Sequence, residues 1–177
     1  MRLILVTGGA RSGKSAYAQR RSLELGGDDV TVIVTARPCD DEMARRIARH
    51  RAARPTPWRT VEVPTNPSAA VRAASTEVIL LDCVTVLFAN VLLEAEARGE
   101  EAALAAMATE SSALLEAAAA REGTLIAVTN EVGSGIVPDG TLGRWFRDGL
   151  GIANQRLAGA AQEVVLLVCG LPLPLKP

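Results

Sequence analysis

Aromatic side chains are scarce in this chain of 177 residues, where phenylalanine, tryptophan and tyrosine together make up 3%. A core of stacked rings is excluded, so the 49% of hydrophobic residues must build an aliphatic one. An excess of charge of one sign is lacking too. The formal net charge of −1 argues against a general nucleic-acid or membrane-surface binder, although local basic patches stay open. Cysteine is sparse: Cys39, Cys83 and Cys169 are widely spaced and form no CxxC pair. That spacing supports neither a disulfide framework nor a zinc site, and all three are expected as small buried hydrophobes. No apolar run reaches the ~18 residues that read as a membrane span. The opening "MRLILVT" reads as a strand rather than as a signal peptide, which lets us expect a cytoplasmic protein. The length suits a single domain, residues 1–177, large enough to bury a proper core.

Lysine is nearly absent, with Lys14 and Lys176 the only two. The first of them sits in "GGARSGKS", residues 8–15, directly after a short apolar run. Gly8, four residues, then Gly13, Lys14 and Ser15 fit the phosphate-binding P-loop at every fixed position. The flanks agree, because Leu3, Ile4, Leu5 and Val6 are strand-like and "SAYAQRRSLEL" has helical composition. Glycines let the backbone wrap an anion without Cβ clashes, and the N–H groups and the helix dipole then attract it. Lys14 would reach the terminal phosphates and the Ser15 hydroxyl would hold Mg²⁺. The loop therefore predicts a nucleoside triphosphate bound by Gly8, Gly9, Ala10, Arg11, Ser12, Gly13, Lys14 and Ser15. It does not name a reaction.

Apolar runs recur along the chain as "RLILVT", "VTVIVT", "TVEVP", "EVILLD", "TLIAVT" and "EVVLLV", with helical stretches between them. The runs lack polar alternation, as strands covered on both faces should. This order predicts an α/β fold with a mostly parallel central sheet and right-handed crossovers. The segment from about Leu87 to Arg121 reads as two helices broken near Gly99, and "LGRWFRDGLGIANQRLAGAA" as a helix with a candidate bend at Gly149 or Gly151. The proline-rich tail "GLPLPLKP" cannot continue a helix or a central strand.

Ligands of such sheets bind at the carboxyl ends of the strands, which directs attention to the residues closing each run. "EVILLD" ends in Asp82, a Walker B pattern that would place a carboxylate to hold Mg²⁺; a capping or turn aspartate is the other reading. Asn130 and Glu131 close "TLIAVT", either at a ligand or at the start of a loop. "VTVIVT" is followed by "ARPCDDEM", in which Asp40 or Asp41 suits a helix N-cap. His50, the only histidine, lies further along that helix, where Met43, Ile47 and His50 share a face. Packing beside the core explains that face. Around it stand Arg45, Arg46, Arg49, Arg51 and Arg54, either a solvated surface or a phosphate-binding cluster beside an imidazole able to attack phosphorus.

"ILVTGGARSGKS", "DDEMARRIARHRAARP", "WRTVE", "ILLDCVT", "VTNEVGSGIVP", "RWFRDGLGIANQRLA" and "VVLLVCGLPLPLK" occur in succession over nearly the whole chain. Together they resemble the bifunctional adenosylcobinamide kinase and adenosylcobinamide-phosphate guanylyltransferase family of cobalamin biosynthesis. The resemblance implies a RecA-like P-loop NTPase domain of three layers that assembles as a homotrimer. It implies phosphorylation of adenosylcobinamide by ATP or GTP, and then transfer of GMP from GTP to adenosylcobinamide phosphate. The family carries GMP on a histidine, and the matching position is His50. Its pattern further implies nucleotide contacts at Thr35, Ala36, Arg37, Arg54 and the neighbourhood of Glu62. From the loop and Walker B readings, Asp82 also faces the nucleotide, Ser15 and Asp82 are the expected Mg²⁺ ligands, and Lys14 acts with His50 in catalysis. Two other functions fit the P-loop alone: a monofunctional small-molecule kinase in which His50 is packing, and a nucleotide-dependent switch or ATPase subunit.

Overall fold

The computed structural model describes residues 1–52 and 54–177, and the side chain of Arg46 lies outside the description. All six apolar runs form strands: β1 (Arg2–Gly8), β2 (Val30–Val34), β3 (Arg59–Glu62), β4 (Val78–Asp82), β5 (Thr124–Val128) and β6 (Glu163–Val168). They lie parallel in the order β3-β2-β4-β5-β1-β6. The tail adds β7 (Leu171–Lys176), which pairs antiparallel with β6 at the sheet's edge. Pro172 and Pro174 stand at alternate positions and so delete donors along one side of β7 only. The other side pairs with β6, and the outer edge is blunted against a further strand.

The helices are α1 (Lys14–Gly26), α2 (Asp41–Ala52), α3 (Ser68–Ala73), α4 (Val84–Ala95), α5 (Glu100–Ala119) and α6 (Thr141–Ala160), with a 3-10 turn at Glu96–Arg98. Successive strand residues face opposite sides of the sheet, which splits the core in two. Leu3 and Leu5 of β1, with Ile79 and Leu81 of β4, pack against Phe88, Met107, Leu114 and Leu150 from α4, α5 and α6. Ile4 and Val6, with Leu80, Ile126 and Val165, pack on the other side against Ala18 of α1 and Trp58. Helices on both faces explain why the central runs read as continuously apolar. The third run differs: β3 is exposed along its whole length because it is the outer strand beyond β2.

Gly99, with φ +90, separates the two helices expected between 87 and 121. Helix α6 runs unbroken through Gly149 and Gly151. Gly149 serves close packing, since a Cβ there would stand 2.6 Å from Met107 Sδ on α5. The cysteines correct the sequence reading. Cys39 and Cys169 are exposed and Cys83 is half-buried. Each follows a strand, on the loops after β2, β4 and β6, so all three lie at the carboxyl edge of the sheet; Cys39 and Cys169 are outside the core, and Cys83 packs against its margin. Among the described residues no helix is long and apolar enough to cross a membrane.

At the opposite edge, Gly123 adopts φ +89 and a Cβ would meet the Glu77 carbonyl oxygen at 2.4 Å. Gly123→Ala is therefore expected to cost about 3 kcal/mol, a fall in Tm of roughly 6–12 °C for a domain of this size. Thermal unfolding measures it, and an unchanged Tm would contradict the packing described.

Candidate nucleotide-binding cleft

The first turn after β1 builds an anion cradle. Gly8 has φ +146, and a Cβ on it would lie 2.4 Å from the Leu167 carbonyl oxygen of β6, so only glycine fits where the loop leaves the sheet. Arg11 and Gly13 both take positive φ, at 55° and 96°, and Gly13 caps α1. Opposite them the turn between β6 and β7 closes the loop's outer side, where Gly170 N–H donates to the Ser12 carbonyl at 3.0 Å. Lys14 is buried at 8% exposure, and its ammonium donates to the Gly9 carbonyl and, at 3.4 Å, to the Ser12 hydroxyl. A buried ammonium at a helix N-terminus is suited to a polyphosphate.

The cradle opens into a cleft of about 760 Å³. Its walls include Ala10, Arg11, Ser12, Gly13, Lys14 and Ser15 from the loop, Ala36 after β2, Asp82 at the end of β4 and Asn130 after β5. Helix α2 supplies the facing wall with Glu42, Met43, Arg45, Ile47, Arg49 and His50. That helix starts at a cap, since Met43 N–H donates to Asp40 Oδ1 at 2.7 Å; of the two candidate caps, Asp40 is the one used. Asp41 and Glu42 in its first turn and Arg49 and Arg51 in its last oppose the helix dipole favourably. Met43 and Ile47 join neither apolar cluster. The face they share with His50 is therefore turned to the cleft and not to the core.

Asp82 is the charge at the centre. His50 Nδ1 lies 3.5 Å from Asp82 Oδ2, and Arg54 Nη2 lies 3.7 Å from the same oxygen. The Arg54 side chain is only 6% exposed. Its burial lowers its pKa below the ordinary arginine value, Arg51 acts in the same sense, and Asp82 and Glu62 oppose. The guanidinium still keeps its proton, as arginine does in proteins. A nearly buried cation thus meets a nearly buried anion, with the imidazole against the same carboxylate.

The remaining expected contacts lie around the cleft and not in its walls. Thr35 is fully buried, and its hydroxyl donates to the Cys83 carbonyl and accepts from the Cys83 N–H at 2.7 and 3.1 Å. It braces the end of β2 against the end of β4. Arg37 is paired with Glu94 of α4 at 2.7 Å. Glu62 is exposed at the end of β3. Cys83, Val86 and Glu42 line the cleft although the sequence did not mark them as site residues; closeness to Asp82 and, for Glu42, a place beside Met43 were the available signals.

A glycine loop running from a strand into a helix, with a carboxylate two strands away in a parallel sheet, defines a P-loop nucleotide-binding domain. The fold agrees with a solved ATPase domain, aligned over 93% of this chain and 68% of its own at a TM-score of 0.55 and 12% identity. The chain belongs to the family described as cobinamide kinase / cobinamide phosphate guanyltransferase, which matches residues 4–175. It is thereby an enzyme of cobalamin biosynthesis. Relatives include the bifunctional adenosylcobalamin biosynthesis protein CobU of Salmonella typhimurium, 44% identical over 98% of this chain and 99% of its own length. The corresponding CobP of Pseudomonas aeruginosa is 42% identical over 97% and 96%.

Proposed function

We propose that this chain performs both family reactions in the one cleft, with His50 carrying GMP between them. One observation carries the proposal: the sole histidine faces the phosphate loop's cleft with Nδ1 turned to Asp82. In the first reaction ATP or GTP gives its terminal phosphoryl group to the hydroxyl of adenosylcobinamide, with Lys14 and the cradle N–H groups offsetting charge on the group in flight. In the second, the Nε2 lone pair of His50 forms a bond to the α-phosphorus of GTP as the bond to pyrophosphate breaks. A phosphate oxygen of adenosylcobinamide phosphate then attacks that phosphorus, the P–N bond breaks, and adenosylcobinamide-GDP leaves with the imidazole restored. Asp82 holds the ring by its Nδ1 side, which leaves Nε2 as the nucleophile. Arg45, Arg49 and Arg54 supply positive charge around the phosphates.

Ser15 and Asp82 offer hard oxygen donors within the same cleft, a set that suits Mg²⁺ because this ion keeps waters and phosphate oxygens as its other ligands. When bound it would neutralise phosphate charge. We also assign Thr35, Ala36, Arg37 and Glu62 to the surroundings of the nucleotide, as the family pattern implies, and a homotrimer in the cytoplasm as the working form. An apolar groove between α5 and α6, where Ile152 stands 49% exposed beside Ala105 and Ala108, supports a subunit contact there. Sedimentation equilibrium checks this assembly.

Two variants test the assignment. His50→Ala should abolish formation of adenosylcobinamide-GDP and leave phosphorylation of adenosylcobinamide largely intact. Lys14→Ala should lower phosphorylation by about 10²–10³-fold, the loss typical of one removed charge-stabilising donor. If His50→Ala, folded by circular dichroism, loses both activities equally or neither, the separate role of His50 is wrong.

A further inference from the structure

Behind the cleft lies a partly buried polar cluster with no role in the reactions above. Thr129 follows β5 at 0% exposure, and its hydroxyl donates to Asn154 Oδ1 of α6 at 2.8 Å. Asn154 Nδ2 in turn donates to the Asn130 carbonyl at 3.0 Å. On the other side Asn130 N–H donates at 2.7 Å to the hydroxyl of Thr85, itself 8% exposed in the first turn of α4. Both polar groups of the Asn130 backbone are thus held by side chains from two helices. Their neighbours are pinned to β1: Thr129 N–H reaches the Val6 carbonyl at 2.9 Å and Glu131 N–H the Gly8 carbonyl at 3.1 Å.

Hydroxyls such as those of Thr85 and Thr129 are costly in an aliphatic interior unless they are satisfied, here by the backbone and the half-buried Asn154. An apolar core of the same shape would close the strand end as well. What the cluster adds is a fixed backbone orientation at one residue, Asn130, whose surroundings give it a use. β5 lies between β1, which carries the phosphate loop, and β4, which ends in Asp82. Asn130, just past the strand between theirs, accordingly lines the same cleft as Lys14 and Asp82. A carboxamide there offers a donor and an acceptor to a phosphoryl oxygen or to the hydroxyl approaching it.

We propose that the Asn130 side chain contacts the phosphoryl group in transfer and that Asn154, on α6, is the positioning residue that aims it. The proposal rests on the kinase reading given above. Transfer of this kind depends on placement, so a displaced carboxamide should reduce turnover far more than nucleotide affinity. The test measures kcat and KM for phosphorylation of adenosylcobinamide by ATP, with ATP binding by equilibrium titration and Tm alongside. Asn130→Ala and Asn154→Ala should each lower kcat by about 10- to 100-fold, with KM for ATP and its Kd within about threefold of the parent. Asn154→Asp, which keeps the shape and the acceptor for Thr129 but loses the donor to Asn130, should behave as Asn154→Ala even if the alanine variant folds poorly. Because Asn154 acts through Asn130, the double variant should be no slower than the slower single one. A double variant slowed by the product of the two single losses would overturn the proposal. So would an Asn154→Asp protein of parental kcat, or losses that follow Kd or Tm. Absence of phosphorylation by the parent chain would instead overturn the kinase reading itself.

Discussion

A single carboxylate ties the chemistry of this site to its rigid frame. Asp82 ends the interior strand β4, and its Oδ2 faces both the imidazole of His50 and the guanidinium of Arg54. No described residue of helix α2 belongs to either apolar cluster, so hydrophobic burial does not decide where its cleft-facing side lies. Charge does. An arginine at 6% exposure and an aspartate at 13% are each tolerable because the other is there, and removing either leaves an uncompensated charge in a poorly solvated place. The same Asp82 oxygen lies 3.5 Å from Nδ1 of the histidine ring.

Everything beneath that contact is arranged to keep strand ends still. Two aliphatic clusters grip the sheet from both faces, and their residues come from successive positions of the same strands. The cleft and the residues that brace it then collect at one edge: the glycine loop after β1, Thr35 and Ala36 after β2, Asp82 and Cys83 after β4, Asn130 after β5 and the Gly170 turn after β6. Small polar side chains do the fine positioning. Thr35 bridges β2 to Cys83, and Asn90 donates to both the Thr35 and Pro64 carbonyls at 2.9 Å. Such bonds lie within the protein and can hold geometry whether or not phosphate is bound.

The strands and the loop were legible because their signals are local. Runs covered on both faces show as unbroken apolar stretches, and a glycine loop needs fixed residues at fixed spacing. The third strand was legible as a run but not as an edge, since exposure depends on which neighbour the sheet places beyond it. Pro172 and Pro174 hid the last strand, because the sequence reveals the missing donors and not which side of the strand lacks them. The cysteines misled for a related reason: residue type suggests burial, whereas their places just past strand ends decide otherwise. Nor could helical periodicity tell whether Met43, Ile47 and His50 face a core or a cleft. Both give one apolar face, and only the meeting with Asp82, two strands further along the chain, distinguishes them. Asn154 carried no local signal at all, for its partners follow β5.

The account stands or falls on His50 as the group that takes GMP. Brief incubation of the protein with GTP labelled at the α-phosphate, followed by denaturation and peptide mapping, measures this directly. We predict label on the peptide containing His50, lost in acid, stable in base and discharged by adenosylcobinamide phosphate as adenosylcobinamide-GDP. Formation of that product by a protein that never carries the label would contradict the account.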